Sequence, residues 1–119
     1  MSYEILWEPR GTVKRFYGHV TDGQLMQSVI DIEGDHRFDT LRYVINDFLA
    51  VASFAVSAAN VRVIAAIDAA AALTNPNIKV AIVATDAQVH ELAAVYASAP
   101  TKPYPTAIFP DIAAARNWV

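Results

Sequence analysis

Acidic residues follow several strand-like runs of the sequence, and carboxylates grouped in this way could bind a divalent cation. These residues are Asp22, Asp47, Asp86 and Asp111. In an open α/β sheet, ligands bind beyond the carboxyl ends of the strands, where such side chains would meet. All but Asp47 also stand where a helix is predicted to begin, and an N-cap explains an aspartate there without a metal. We therefore predict no metal and no cofactor, and keep Asp47, Thr85 and Asp86 as candidate contacts for a ligand or a partner.

Ser57 is the second residue whose position could support chemistry. It directly precedes a predicted helix that begins at Ala58. A helix N-terminus exposes N–H groups and the positive end of the helix dipole, and both favour an anion such as a phosphate group. A serine at this place also serves as an ordinary N-cap, and a carboxylate at position 57 is predicted to be tolerated because it would cap the helix as well.

The sequence contains no recognisable catalytic set, and we predict that the chain is not an enzyme. The three histidines, His19, His36 and His90, lie far apart on different predicted elements. There is no cysteine, so thiol catalysis and thiolate-bound zinc are excluded. The four glycines form no phosphate-binding loop, and no Ser-His-Asp arrangement is visible.

Composition and charge limit the class of protein. A chain of 119 residues is predicted to be one domain, residues 1–119. Its net charge of −3 and its scattered basic residues argue against binding to nucleic acid. No uninterrupted apolar run is long enough to span a membrane, and the first residues do not resemble a signal peptide. We expect a cytoplasmic protein without stable membrane insertion.

The order of predicted elements indicates an α/β fold. Strands are predicted at residues 3–7, 12–20, 41–47, 78–84 and 106–109. The first two form a hairpin near one edge, and four helices alternate with the remaining strands, which implies a mixed sheet whose later strands are parallel. Capping boxes at residues 21–24 and 85–88 are predicted to begin two helices, Gly34 to end the first in a left-handed conformation, and residues 35–40 to form a loop.

An apolar stretch after the third strand is the most unusual segment of the sequence. It reads DFLAVASFAVSAANVR, from Asp47 to Arg62. We predict that residues 48–56 form an apolar connection outside regular structure. A solvent-exposed loop rarely has this composition. The candidate contacts Phe48, Leu49, Val51 and Phe54 are therefore expected to cover a small apolar pocket or to be covered by a partner.

The arrangement as a whole resembles the STAS domain, which has the SpoIIAA-like fold, and its small STAS/SEC14-like members. The resemblance rests on GHVTDGQL at residues 18–25, DHRFDTLRYVIND at 35–47, NPNIKVAIVATD at 75–86 and FPDIAAARNWV at 109–119. In the anti-sigma-factor antagonists of this family, a kinase phosphorylates a serine at a helix start after the third strand. Ser57 matches that serine, whereas Val56 and Ala59 replace the aspartate and the glycine of the motif.

The helix predicted over residues 58–74 is rich in alanine and apolar on most sides. Its charged residues are Arg62 and Asp68. One face would pack on the sheet, and small residues on another face would allow a second backbone to approach closely. This pattern favours a homodimer.

Two functions are compatible with these observations. The first is a non-enzymatic regulatory or protein-binding module of the STAS type, which the family resemblance implies. The alternative is a carrier of a small apolar ligand or lipid beneath residues 48–56, because a pocket with few polar groups suits such a ligand.

Overall fold

Five strands form one mixed sheet in the computed structural model, which describes residues 2–119. The strands are Tyr3–Trp7 (β1), Gly11–Thr21 (β2), Tyr43–Ala55 (β3), Lys79–Val83 (β4) and Thr106–Phe109 (β5). The helices are Asp22–Glu33 (α1), Ala58–Ala71 (α2), Ala87–Ala97 (α3) and Ile112–Trp118 (α4), and a short 3-10 helix spans His36–Thr40.

The strands lie in the sheet in the order in which they occur in the chain. β1 and β2 are antiparallel, and all later neighbours are parallel, which confirms the predicted fold class. β1 forms the outer edge of the hairpin, and β2 lies inside the sheet between β1 and β3. Polar side chains on β2 therefore have neighbours on both sides, and Lys14 is buried.

Local side-chain chemistry begins the helices largely as predicted. At α1, the Thr21 hydroxyl accepts a hydrogen bond from the Gln24 N–H at 3.3 Å, and the Gln24 side chain accepts one from the Thr21 N–H at 3.1 Å. At α3 the predicted box is wrong, because Asp86 rather than Thr85 is the N-cap. Gly34 has φ −84°, so the left-handed cap was also wrong; the chain turns instead into the 3-10 helix, which replaces the predicted loop.

The third strand is much longer than the sequence pattern predicts. Residues 48–55 continue β3 instead of forming an irregular connection, because the second half of β2 provides backbone partners for them. Gly18, with φ +65°, lies at an irregularity in that pairing and needs the freedom that glycine has in this conformation. β4 pairs only with residues 43–47 of β3, so the later part of β3 extends beyond it.

The two faces of the sheet are covered unequally. Side chains of α1, α2 and α3 pack on one face, against Phe16, Val44 and Ile82 among others. The other face packs on α4, where Ile45 and Ala115 are fully buried. Alternate residues of each strand point to opposite faces, so the face covered by three helices contains the larger core.

Candidate functional site

A cavity of about 110 Å³ lies between the sheet and helices α1, α2 and α3. Most of its wall consists of aliphatic and aromatic side chains, among them Val29, Ile64, Ile82 and Ala93. An engineered apolar cavity of about 150 Å³ in another protein stays dry and binds benzene. The cavity found here is smaller than that one, which limits any occupant to a small ring or a short branched chain.

Three phenylalanines form a continuous row on the face of the sheet that α1, α2 and α3 cover. The rings of Phe16 and Phe48 are stacked with centroids 4.6 Å apart, and Phe54 meets Phe48 edge-on at 5.5 Å. Phe48 and Phe54 line the cavity. The Gln88 side chain donates to the Phe54 carbonyl at 2.9 Å and so connects the end of β3 to α3. This row gives one wall of the cavity a rigid aromatic surface.

Lys14 brings a cationic group to the same cavity. Its residue is only 5% exposed, and its Nζ donates to the Ser28 hydroxyl at 3.2 Å. Within residues 2–119, no carboxylate lies within 4.0 Å of this ammonium group, and the Phe16 ring centroid is 5.7 Å away. Burial lowers the pKa of Lys14 to about 8, although the charge of Asp68 opposes this shift.

Two acidic side chains and a tyrosine lie on the helical side of the cavity. The Tyr96 hydroxyl donates to Asp68 Oδ2 at 2.5 Å, and Asp68 is 9% exposed. Burial and a hydrogen bond to Asp68 raise the pKa of Glu33 to about 9. The raised pKa favours the protonated form of Glu33 at neutral pH, and the donor observed on Asp68 is the Tyr96 hydroxyl.

The basic and acidic side chains around the cavity are not paired by contact. Asp68 accepts a hydrogen bond from Tyr96, whereas the ammonium group of Lys14 has a single hydrogen bond, to Ser28. An ammonium group carries three donors, so two of the Lys14 donors have no protein acceptor among the described residues. A buried charge with unfilled donors in a cavity wall is chemically suited to bind an acceptor atom of a ligand.

The apolar residues singled out in the sequence separate into two groups. Phe48 and Phe54 are partly buried and line the cavity, and Val51 packs against the adjoining core. Leu49 is 47% exposed and alternates with Phe48, so it faces away from the cavity. The expectation that all four are mostly buried outside regular structure was wrong, because they belong to β3 and its alternation exposes Leu49.

The predicted polar contacts lie elsewhere. Asp47 accepts a hydrogen bond from the Leu49 N–H at 3.0 Å, and Thr85 and Asp86 are exposed beyond β4, where Asp86 caps α3. None of these three residues lines the cavity. In residues 2–119 no group of acidic residues and histidines is arranged to hold a metal ion.

Ser57 is the N-cap of α2, as the sequence predicts. Its hydroxyl oxygen accepts from the Asn60 N–H at 3.1 Å. The backbone N–H and the hydroxyl of Ser57 donate to the two carboxylate oxygens of Asp22, at 2.8 and 3.0 Å. The carboxylate of Asp22 thus already lies beside the serine, where the sequence predicts a place for an anion.

Sequence reasoning missed Lys14, Glu33 and Asp68 as site residues. A signal was present for two of them: Lys14 shares a strand face with Phe16 and Val20, and Asp68 lies one helical turn after Ile64. A charged residue on an otherwise apolar face is expected to be buried and to need a reason for being there. Glu33 gives no comparable signal, because it stands at the end of its helix.

Comparison with solved structures shows the SpoIIAA-like fold. The chain is similar to the anti-sigma factor antagonist SpoIIAA in its unphosphorylated form, with a TM-score of 0.64, 8% identity, and 97% of this chain and 94% of that chain covered. It is also similar to the Bacillus cell fate determinant SpoIIAA in its phosphorylated form, with a TM-score of 0.58, 10% identity, and coverage of 98% and 99%.

A third similar structure is an uncharacterised protein of the DUF3478 family with a SpoIIAA-like fold, from Shewanella loihica PV-4. Its TM-score is 0.56 at 15% identity, with 98% of this chain and 90% of that chain covered. No family model and no curated protein matches the sequence. Within residues 2–119, none of the helices combines the length and the apolar composition needed to cross a bilayer.

Proposed function

We propose that this domain binds a small, largely apolar molecule in the cavity between the sheet and α1–α3, and that it acts as a carrier or sensor without catalysis. The observation that carries the proposal is the cavity itself, with its apolar wall and its volume of about 110 Å³. Protein interiors are normally close-packed, so an apolar void of this size is unfavourable unless a ligand fills it. The proposed ligand-binding surface is thus the face of β3 that packs against α1–α3, instead of the loop predicted from the sequence.

A phosphorylation switch at Ser57 receives less support from the contacts of that residue. A phosphate on its hydroxyl would stand next to the Asp22 carboxylate, which now accepts two hydrogen bonds from Ser57. Like charges at this distance repel, and the phosphate would displace the carboxylate from the N–H. The solved SpoIIAA structures include a phosphorylated form, but sequence identity of 8–10% transfers only the fold to this chain.

Access to the cavity is proposed at the end of α1. Glu33 and Phe38 border the cavity and also border a shallow surface groove that includes Ile67 and Thr74. Because these two side chains border both spaces, we propose that they separate the groove from the interior. Rotation of the Phe38 ring, together with movement of Glu33, would open a path for a small molecule.

A pair of variants on α3 tests the proposal. Ala93 lines the cavity and is 5% exposed, whereas the neighbouring Ala94 is exposed. Benzene should produce amide shift changes around the cavity of the wild type and of Ala94→Leu, and raise their melting temperatures. Ala93→Leu should fill the cavity, keep the fold and bind no benzene. Saturable benzene binding that Ala93→Leu leaves unchanged would place the ligand elsewhere, and no binding by the wild type would refute the proposal.

A second proposal concerns self-association, because one stripe of α2 remains exposed. Val63 is 51% exposed and Leu73, just after the helix, is 89% exposed, with Ala66 and Ala70 between them. The small side chains between the two larger ones would let a second α2 approach closely. We propose that a homodimer forms through this stripe. Native mass spectrometry distinguishes a dimer without ligand from a protein that carries a co-purified molecule.

A further inference from the structure

The buried ammonium group of Lys14 restricts the chemistry of any molecule in the cavity. Its position in the middle of β2, beside Asn46 of β3, places it in the wall rather than at the protein surface. Its one hydrogen bond, to Ser28, leaves two donors without a protein acceptor among residues 2–119. A purely hydrocarbon ligand would leave both donors unfilled, whereas a ligand with an acceptor atom would satisfy at least one of them.

The charge balance of the wall decides between a neutral and an anionic acceptor. Among the residues that line the cavity, Lys14 is the single basic one, whereas two carboxyl side chains, those of Asp68 and Glu33, line the same wall. A ligand carboxylate would therefore leave an excess negative charge in an apolar interior, near Asp68. A neutral carbonyl oxygen accepts from Lys14 without adding charge, and isolated buried charges are strongly unfavourable.

We infer that the cavity binds a small apolar molecule with one neutral carbonyl group, whose oxygen accepts a hydrogen bond from Lys14. This inference rests on the proposed function, since it requires the cavity to be the binding site. Lys14 is thus a specificity-determining residue, and the apolar wall formed by Phe48, Phe54 and their neighbours holds the hydrocarbon part of the ligand. A ketone, ester or amide of ring size meets both requirements.

Three probes of similar size test the inference. Cyclohexanone has a neutral acceptor, toluene has none, and cyclopentanecarboxylate has a charged one. NMR titrations give the affinity of each probe for the wild type, for Lys14→Met and for Lys102→Met, which changes an exposed lysine. Lys14→Met should weaken cyclohexanone binding about tenfold or more, the equivalent of one hydrogen bond to a charged donor, and should leave toluene binding within about twofold. Lys102→Met should change neither affinity.

The possible outcomes separate this inference from the proposed function. Toluene binding by Lys14→Met demonstrates that the variant is folded with an intact cavity. If Lys14→Met changes all three affinities by the same factor, Lys14 has only a structural role and the inference is wrong, although the cavity still binds ligands. Tighter binding of cyclopentanecarboxylate than of cyclohexanone would overturn the inference that the acceptor group of the ligand is neutral. If the wild type binds no probe at millimolar concentration, the proposed function fails as well.

Discussion

Replacing Lys14 by Met should stabilise the folded protein, because the wild-type side chain is buried at an energetic cost. The pKa of Lys14 is lowered from 10.5 to about 8. A shift of one pKa unit corresponds to about 1.4 kcal/mol, so the charged form loses about 3 kcal/mol on folding at pH 7. Met has a similar length and no charge. The pKa of about 8 already includes the attraction to Asp68, so the lost bond to Ser28 is what offsets part of the gain, and a net increase of about 1–3 kcal/mol is expected.

The sign of the pH dependence follows from the direction of the shift. A lysine whose folded pKa is lowered holds fewer protons in the folded state than in the unfolded state between about pH 8 and 10.5. The stability of the wild type therefore rises with pH in this window relative to that of Lys14→Met. The titratable groups that face Lys14 are Asp31 and Glu33 of α1, Asp68 of α2 and Tyr96 of α3, and they remain in both proteins. Because the charge of Lys14 lowers the pKa of Glu33, the difference between the two proteins also contains a contribution from Glu33, which has the same sign.

Urea unfolding at pH 7 and at pH 10 measures this difference directly. Lys102→Met is the matched control, because it removes a lysine that is exposed, and it should change stability by less than about 0.5 kcal/mol. The advantage of Lys14→Met over the wild type should be largest at pH 7 and smaller at pH 10. A loss of more than 1 kcal/mol at pH 7 would show that Asp68 stabilises the charge of Lys14, and the reasoning about an uncompensated ammonium group would be refuted.

Three further predictions concern other residues. The wild type should lose stability relative to Glu33→Gln as pH rises from about 4.5 to about 9, because the folded state keeps a proton on Glu33 that the unfolded chain releases; urea unfolding at pH 5 and 9 measures this. Ser57→Ala should cost on the order of 1 kcal/mol. Ser57→Asp, which the sequence alone predicts to be tolerated, should cost more at pH 7 than at pH 4, because Asp22 lies beside it; an equal loss of melting temperature relative to the wild type at both pH values would contradict this. Ala66→Glu should yield a folded monomer, whereas sedimentation of a monomeric wild type at high micromolar concentration would disprove the dimer.

Local chemistry explains why much of the fold could be predicted from the sequence. The hairpin at Glu8–Gly11, the capping box at Thr21 and the serine cap of α2 depend on residues close together in the chain. The apolar run of β4 is likewise typical of a buried parallel strand, and its flanking turns fix its ends. These features need no knowledge of distant contacts.

The length of β3 could not be predicted in the same way. Its second half owes its extended conformation to pairing with residues 17–21, which precede it by about thirty positions in the chain, and the pairing contains an irregularity at Gly18. A local pattern cannot show where such a partner ends. Alternation in Phe48 and Leu49 was compatible with a strand, but the repeated alanines that follow weaken the signal.

The burial of Lys14 could not be predicted for a related reason. Lys14 shares one face of β2 with Phe16 and Val20, and on sequence alone such a half-polar face is typical of a strand near a sheet edge, since a lysine is seldom fully buried. The structure instead places β2 between two strands and beneath α1, so the same alternation directs Lys14 into the core. Only the tertiary arrangement determines which side of the strand is covered, and the functional meaning of the residue depends on that cover.

The same residue connects the stability of the domain to its proposed function. Lys14→Met should make the protein more stable at pH 7, because methionine would pack in the same space without any unfilled donor. Residues that lower stability are retained where they serve binding or catalysis. A core in which every polar group already has a hydrogen-bond partner contains no group that could bind a polar atom of a ligand. The aromatic row beside Lys14 has the opposite character, since every ring has close neighbours. The contrast between a satisfied aromatic wall and one unsatisfied cation is the physical basis for expecting a ligand that is apolar except for a single acceptor atom.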